Sequence, residues 1–290
     1  VLVLLLLASS ARASEADPAP AETQQNVFIV DNYGARGDGK HDDAQPLAKA
    51  WNAACSSSRP AVLLVPEGKT YLLSSVTLSG PCKSSVVFML KGTLVAPRSR
   101  SAWSQNDTSR WILIQGVTGL TVSGGGTING NGDVWWANSC KVNKALPCTK
   151  APTALTFHQC NNLQVENLKL VNSQQIHLSV EDCSGVQLAR LSITAPGTSP
   201  NTDGIHITRS KDVQLYGTTN GARIKTWQGG SGYAKDITFQ NMVMDNVQNP
   251  IIIDQNYCDS AKPCNRGQGS AVEVSNVVFK NIRGTTVSKD

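Results

Sequence analysis

The chain has 290 residues, about twice a common domain length but within the range of single β-architectures. Hydrophobic residues make up 40%, and Gly plus Pro about one residue in eight, which excludes collagen-like and disordered classes. The net charge of +5 is spread over a chain with only 16% charged residues, too dilute for a nucleic-acid surface but suited to an acidic polymer.

The chain opens VLVLLLLA, an apolar run too short to span a bilayer, followed by the small-x-small pattern Ala11-Arg12-Ala13. Residues 1–13 therefore read as part of a secretory signal peptide, with a mature start near Ser14 and no membrane segment in the mature form. A Pro/Ala/Glu linker over 14–26 leads to a single domain over 27–290. In an oxidising compartment the eight cysteines favour disulfides over metal, and Asn106-Asp107-Thr108 offers one glycosylation sequon. Val27 to Val30 predicts a strand and Asp31 to Gly34 a turn. From Ala44 to Cys55, Leu47, Ala50, Trp51 and Ala54 recur at three and four positions. That spacing predicts a short N-terminal helix, with Asp42 and Asp43 as its cap rather than a catalytic pair.

Downstream, short strands alternate with Gly, Asn and Asp, and one pattern repeats. Phe157, Leu163 and Val165 align with Val180, Val186 and Leu188, and again with Ile207, Val213 and Leu215; Ile114 to Val122, Asp236 to Phe239 and Asn276 to Phe279 fit the same frame. Units this small cannot bury their own apolar faces and must stack, so the predicted fold is all-β, a parallel β-helix solenoid. A β-sandwich also gives short, evenly spaced strands, but it does not require the same pattern to recur. Cys160 and Cys183, one repeat apart, fall on adjacent coils within possible bridging distance. Such a solenoid carries a long groove on one strand face, suited to an extended polymer.

Asn201-Thr202-Asp203 places an amide and a carboxylate at the start of a strand, a pattern that is usually a structural turn. Arg223 and Lys225, two residues apart, share a strand face, as solvated basic strands often do. Taken together they form a cationic pocket beside a carboxylate: Arg grips a carboxylate with two hydrogen bonds and Lys adds a point charge, as a uronic acid requires. Tyr257 either stacks on a sugar face or packs in a turn beside Cys258.

The segments VFIVDNYGARGDGKHDDAQPLAKAWNAAC (27–55), GGGTINGNGDVWW (124–136), NTDGIHI (201–207), NGARIKTWQGG (220–230) and NPIIIDQNYC (249–258) resemble plant polygalacturonases over nearly all of the mature chain. The resemblance implies a right-handed parallel β-helix, secreted to the plant cell wall, that hydrolyses α-1,4-galacturonan (pectin) with inversion as a monomer, without metal or other cofactor. It gives Asp203 the part of a catalytic carboxylate that holds and activates water, Asn201 that of orienting it, and Arg223, Lys225 and Tyr257 that of substrate-binding residues.

The family also carries a Gly-Asp-Asp motif, with the general acid and a second water-holding carboxylate, and a Gly-His-Gly motif. Neither occurs in this chain, whose only Asp-Asp pair is Asp42-Asp43. Asp212 to Tyr216 runs straight into Gly217 to Asn220, as if the solenoid were shortened by about two coils near 216–217, and the repeat stops abruptly at Asp290, as if truncated. The expectations are a polygalacturonase-family chain with little or no activity or, alternatively, a pectin-binding protein without turnover. A frayed coil is expected near Tyr216 to Thr219. A calcium-dependent lyase is disfavoured, since the sequence has no dense acidic cluster.

Overall fold

The computed structural model describes residues 25–103, 109–196, 199–200, 202–216, 222–227, 231–240, 243–247, 251–257 and 271–286. The signal segment, the sequon at Asn106, and Cys258 and Cys264 lie outside the described residues.

Branched apolar residues alternate with polar ones along each short segment, and the segments form strands that pair parallel. Two sheets carry most of the chain. One has 13 strands; the other has five, running Val76–Ser79, Arg110–Gln115, Thr153–His158, Leu178–Glu181 and Ile205–Thr208. A coil takes one strand from the five-stranded sheet, turns a corner, adds a strand to the long sheet and returns, which makes the fold a parallel β-helix.

The repeat read from the sequence is the register of this stack. Ile114, Phe157, Val180 and Ile207 are Cα partners in succession. Leu120, Leu163, Val186, Val213, Ile237 and Val277 form a second column, and Val122, Val165, Leu188, Leu215, Phe239 and Phe279 a third. Leu163, Val165, Val186 and Leu188 are fully buried. Each such side chain contributes about 1.5–3 kcal/mol of burial, offset by the ordering of the chain. Phe239 and Phe279 stack at 5.1 Å with rings nearly parallel.

The corner between the two sheets repeats as well. Gly116, Gln159, Asp182 and Arg209 all take left-handed backbone (φ 66°, 54°, 54° and 47°), and Val117, Cys160, Cys183 and Ser210 follow them into the core. At this corner the Cys160 amide donates to Cys183 Sγ (3.3 Å) and the Cys183 amide to Ser210 Oγ (3.0 Å). The two cysteines therefore stack on adjacent coils as free thiols; the disulfides among the described residues are Cys55–Cys82 and Cys140–Cys148.

The helix Ala44–Cys55 packs on the first coil through Leu47, Ala50, Trp51 and Ala54, and the Trp51 indole donates to Ser79 O (3.0 Å). The expected shared cap divides in two. Asp42 accepts from the amides of Ala44 and Ser74, both at 3.0 Å. Asp43, at the N-cap position, makes no side-chain cap bond; buried, it accepts instead from the amides of Arg36 (2.8 Å) and Gly37 (3.0 Å) and so secures the preceding loop. A second, one-turn helix, Asp133–Ala137, was not expected, because five residues are too few to show helical periodicity.

Regularity stops after Ile205–Thr208. The strand Ala222–Trp227, one coil on, pairs instead with Ile251–Tyr257 in a separate two-stranded sheet, while the long sheet continues through Lys211–Tyr216, Ser231–Gln240 and Ala271–Lys280. Ser184–Thr194 pairs with Lys211–Tyr216 only as far as Ala189 opposite Tyr216. Along the sequence, residues 195–204 separate Ser184–Thr194 from Ile205–Thr208, and 217–221 separate Lys211–Tyr216 from Ala222–Trp227. Of the stretch expected to fray, only Tyr216 belongs to the described residues.

Candidate functional site

Asp203 lies in the turn that leads into Ile205–Thr208. Its backbone is fixed from the preceding coil, where the His177 amide donates to Asp203 O (3.0 Å) and His177 Nδ1 lies 3.1 Å from the same oxygen. His177 is 1% exposed, and its Nε2 lies 3.2 Å from Thr194 O and 3.4 Å from the Ser173 amide, so both ring nitrogens are engaged with backbone. Burial pushes this imidazole's pKa down, so it serves as a neutral brace.

The Asp203 carboxylate meets two donors on one oxygen: His206 Nε2 at 2.8 Å and Lys225 Nζ at 2.9 Å from Oδ2. His206 reaches back three residues from its strand. Lys225 comes from Ala222–Trp227, in which Ala222, Ile224 and Thr226 are buried. The hydrogen bond from His206 and then that from Lys225 hold the Asp203 carboxyl well below the usual carboxylate range, against the opposing effect of partial burial. Asp203 is thus an anion clamped by its neighbours, able to orient a polar ligand or water but poorly placed to give up a proton.

Of the residues singled out from the sequence, the structure brings Asp203 and Lys225 into contact across successive coils. Arg223 precedes Lys225 by two residues in the same strand, and Tyr257 ends the strand paired with it, opposite Trp227. The side chains of Arg223 and Tyr257, and all of Asn201, lie outside the described residues. Asp254 is the register partner of Lys225 in that pairing. Sequence reasoning missed both histidines. For His206 a signal existed, an imidazole three residues after the aspartate; for His177 the only signal was its place one repeat earlier.

The model of Glycosyl hydrolases family 28 matches residues 55–218 and 211–290, two stretches that meet at 211–218. The chain is 46% identical to a polygalacturonase of Persea americana, covering 93% of this chain and 70% of that protein, and 43% identical to Polygalacturonase-2 of Solanum lycopersicum, covering 91% and 70%. The first of these alignments runs over 328 positions, more than the 290 residues of the whole chain, so the avocado protein carries residues without a counterpart here. Among solved structures, endo-xylogalacturonan hydrolase from Aspergillus tubingensis superposes with a TM-score of 0.67 at 20% identity, over 91% of this chain and 86% of that one. The polygalacturonase from Erwinia carotovora ssp. carotovora gives 0.57 at 19%, over 94% and 96%. At such identities these two comparisons speak for the fold alone.

Proposed function

The chain belongs to glycosyl hydrolases family 28, a family of glycoside hydrolases, and on that footing we propose that it grips the galacturonan of pectin while turning it over little or not at all. The observation that carries this reading is the Lys225–Asp203 contact across successive coils, at the place where the resemblance puts substrate and water. In this reading Arg223 and Lys225 take a galacturonate carboxylate, Tyr257 faces the sugar ring, and Asn201 with Asp203 holds the water position. No metal or organic cofactor takes part.

Turnover fails for want of a proton donor. Inverting hydrolysis needs one carboxyl to protonate the leaving oxygen and another to activate water on the opposite face of the sugar, and one aspartate cannot do both in a single step. Asp203, clamped by His206 and Lys225, is held in its ionised form and so cannot replace the missing acid. Loss of general acid catalysis alone removes about 10²- to 10⁴-fold of rate. Three observations support an internal shortening near 216–217 as the cause. The family match divides at 211–218, the alignment to the avocado protein outruns this chain, and the five-stranded sheet stops at Thr208. The same reading places the mature protein outside the cell, in the plant wall, as a monomer on an acidic polysaccharide. Among the described residues no helix is long and apolar enough to cross a membrane.

Retention on immobilised polygalacturonate tests the grip. The chain is expected to be retained at low salt and released as ionic strength rises, and Lys225→Met, checked for an unchanged melting temperature, to elute markedly earlier. Equal retention of the folded Lys225→Met variant would contradict the assignment.

A further inference from the structure

A second charged cluster lies on the outward face of the five-stranded sheet, one coil before Asp203. Arg110 Nη2 is 2.7 Å from Glu181 Oε2, and the pair reaches across the intervening strand Thr153–His158. Thr156 of that strand is fully buried, although its register partner Ser179 and, beyond it, His206 place it on the outward face. The Ser179 hydroxyl donates to Glu181 Oε1 (2.9 Å). The polar contacts thus reach from Arg110 through Glu181 to Ser179, which is in register with His206, the partner of Asp203. Alongside, Arg209 grips Asp182 through Nε (2.6 Å) and Nη2 (2.7 Å), and His158 Nε2 lies 3.4 Å from Asp182. Two guanidinium groups thus face two carboxylates.

We propose that Glu181 sets the ester preference of the trough. By occupying Arg110 it denies the guanidinium to a free uronate on the sugar adjoining the one at Asp203, so that sugar is accepted with its carboxyl methyl-esterified. This rests on the galacturonan-gripping reading above. The physical basis is simple. A carboxylate arriving over a closed ion pair finds no free cation to offset its desolvation, a cost that a neutral ester does not carry. At 34% and 21% side-chain exposure, Arg110 and Glu181 are near enough to the surface to be felt by a ligand and sheltered enough to be only partly screened.

The test compares equilibrium binding of the full chain to de-esterified polygalacturonate and to highly methyl-esterified pectin, for the unmodified protein, Glu181→Gln and Arg110→Gln, with melting temperatures measured in parallel. Glu181→Gln frees Arg110 and is expected to tighten polygalacturonate binding about three- to fivefold, with little change for esterified pectin and with the gain fading at high salt. Arg110→Gln uncovers Glu181 and is expected to shift the ratio the other way; should that variant fold poorly, Glu181→Gln alone decides. Binding by the unmodified chain with a polymer ratio that Glu181→Gln leaves unmoved overturns this proposal only. Absence of binding to either polymer overturns the trough reading and this proposal with it.

Discussion

A carboxyl group serves as an acid only if its surroundings keep it protonated, and those of Asp203 do the reverse. Two donors converge on Oδ2, so its folded pKa lies below its unfolded value, about 3.9. The sign of the linkage follows. The contribution of this clamp to stability is fully present above the unfolded pKa and is lost as pH falls from there through the depressed folded pKa. Side-chain NMR of labelled aspartate is expected to give Asp203 a titration midpoint clearly below that of an exposed aspartate; a midpoint of about 5 or higher would restore it as a candidate donor. Asp203 and Lys225 were legible in the sequence because both stand in short runs whose residue types suit a uronate. His206 was not, since a histidine inside an apolar strand reads as core until its register shows an outward face. Glu181 and Arg110 lie 71 positions apart and become neighbours only through the coil stack.

At the level of the element, the repeat carried nearly all of the fold, because each apolar position in the aligned pattern is a rung of an interior column. Leu163 over Val186 over Val213 is one pattern, first as sequence and then as Cα partners. Local chemistry was harder to read. Asp42 and Asp43 look equivalent as letters, yet one satisfies the helix amide of Ala44 and the other turns back to the loop at Arg36 and Gly37. On the proposed shortening, the strand after the shortened coil loses one side of its ladder. Leu178–Glu181 pairs on both edges, with Thr153–His158 and Ile205–Thr208, whereas Ala222–Trp227 pairs only with Ile251–Tyr257 among the described residues. Native-state hydrogen exchange is therefore expected to be faster across Ala222–Trp227 than across Leu178–Glu181. Equal protection of the two strands would contradict a local cost of the proposed shortening.

For the whole molecule, the proposed reading separates fold from catalysis. A solenoid is held together by contacts between neighbouring coils, so removing coils leaves the coils that remain stacked on one another. The active site of the family draws its groups from several levels of the stack, so the same removal takes the acid away while sparing Asp203 and Lys225. On the proposed reading the chain keeps a parallel β-helix from Asn26 onward without the proton donor that hydrolysis needs. The most direct measurement is the release of reducing ends from polygalacturonate by the purified chain, at a concentration where it is retained on that polymer. The account predicts release at least about a hundredfold below that of an intact family member such as the avocado polygalacturonase, if any is seen at all. Release at a comparable rate would mean that a proton donor persists in the trough and would contradict it.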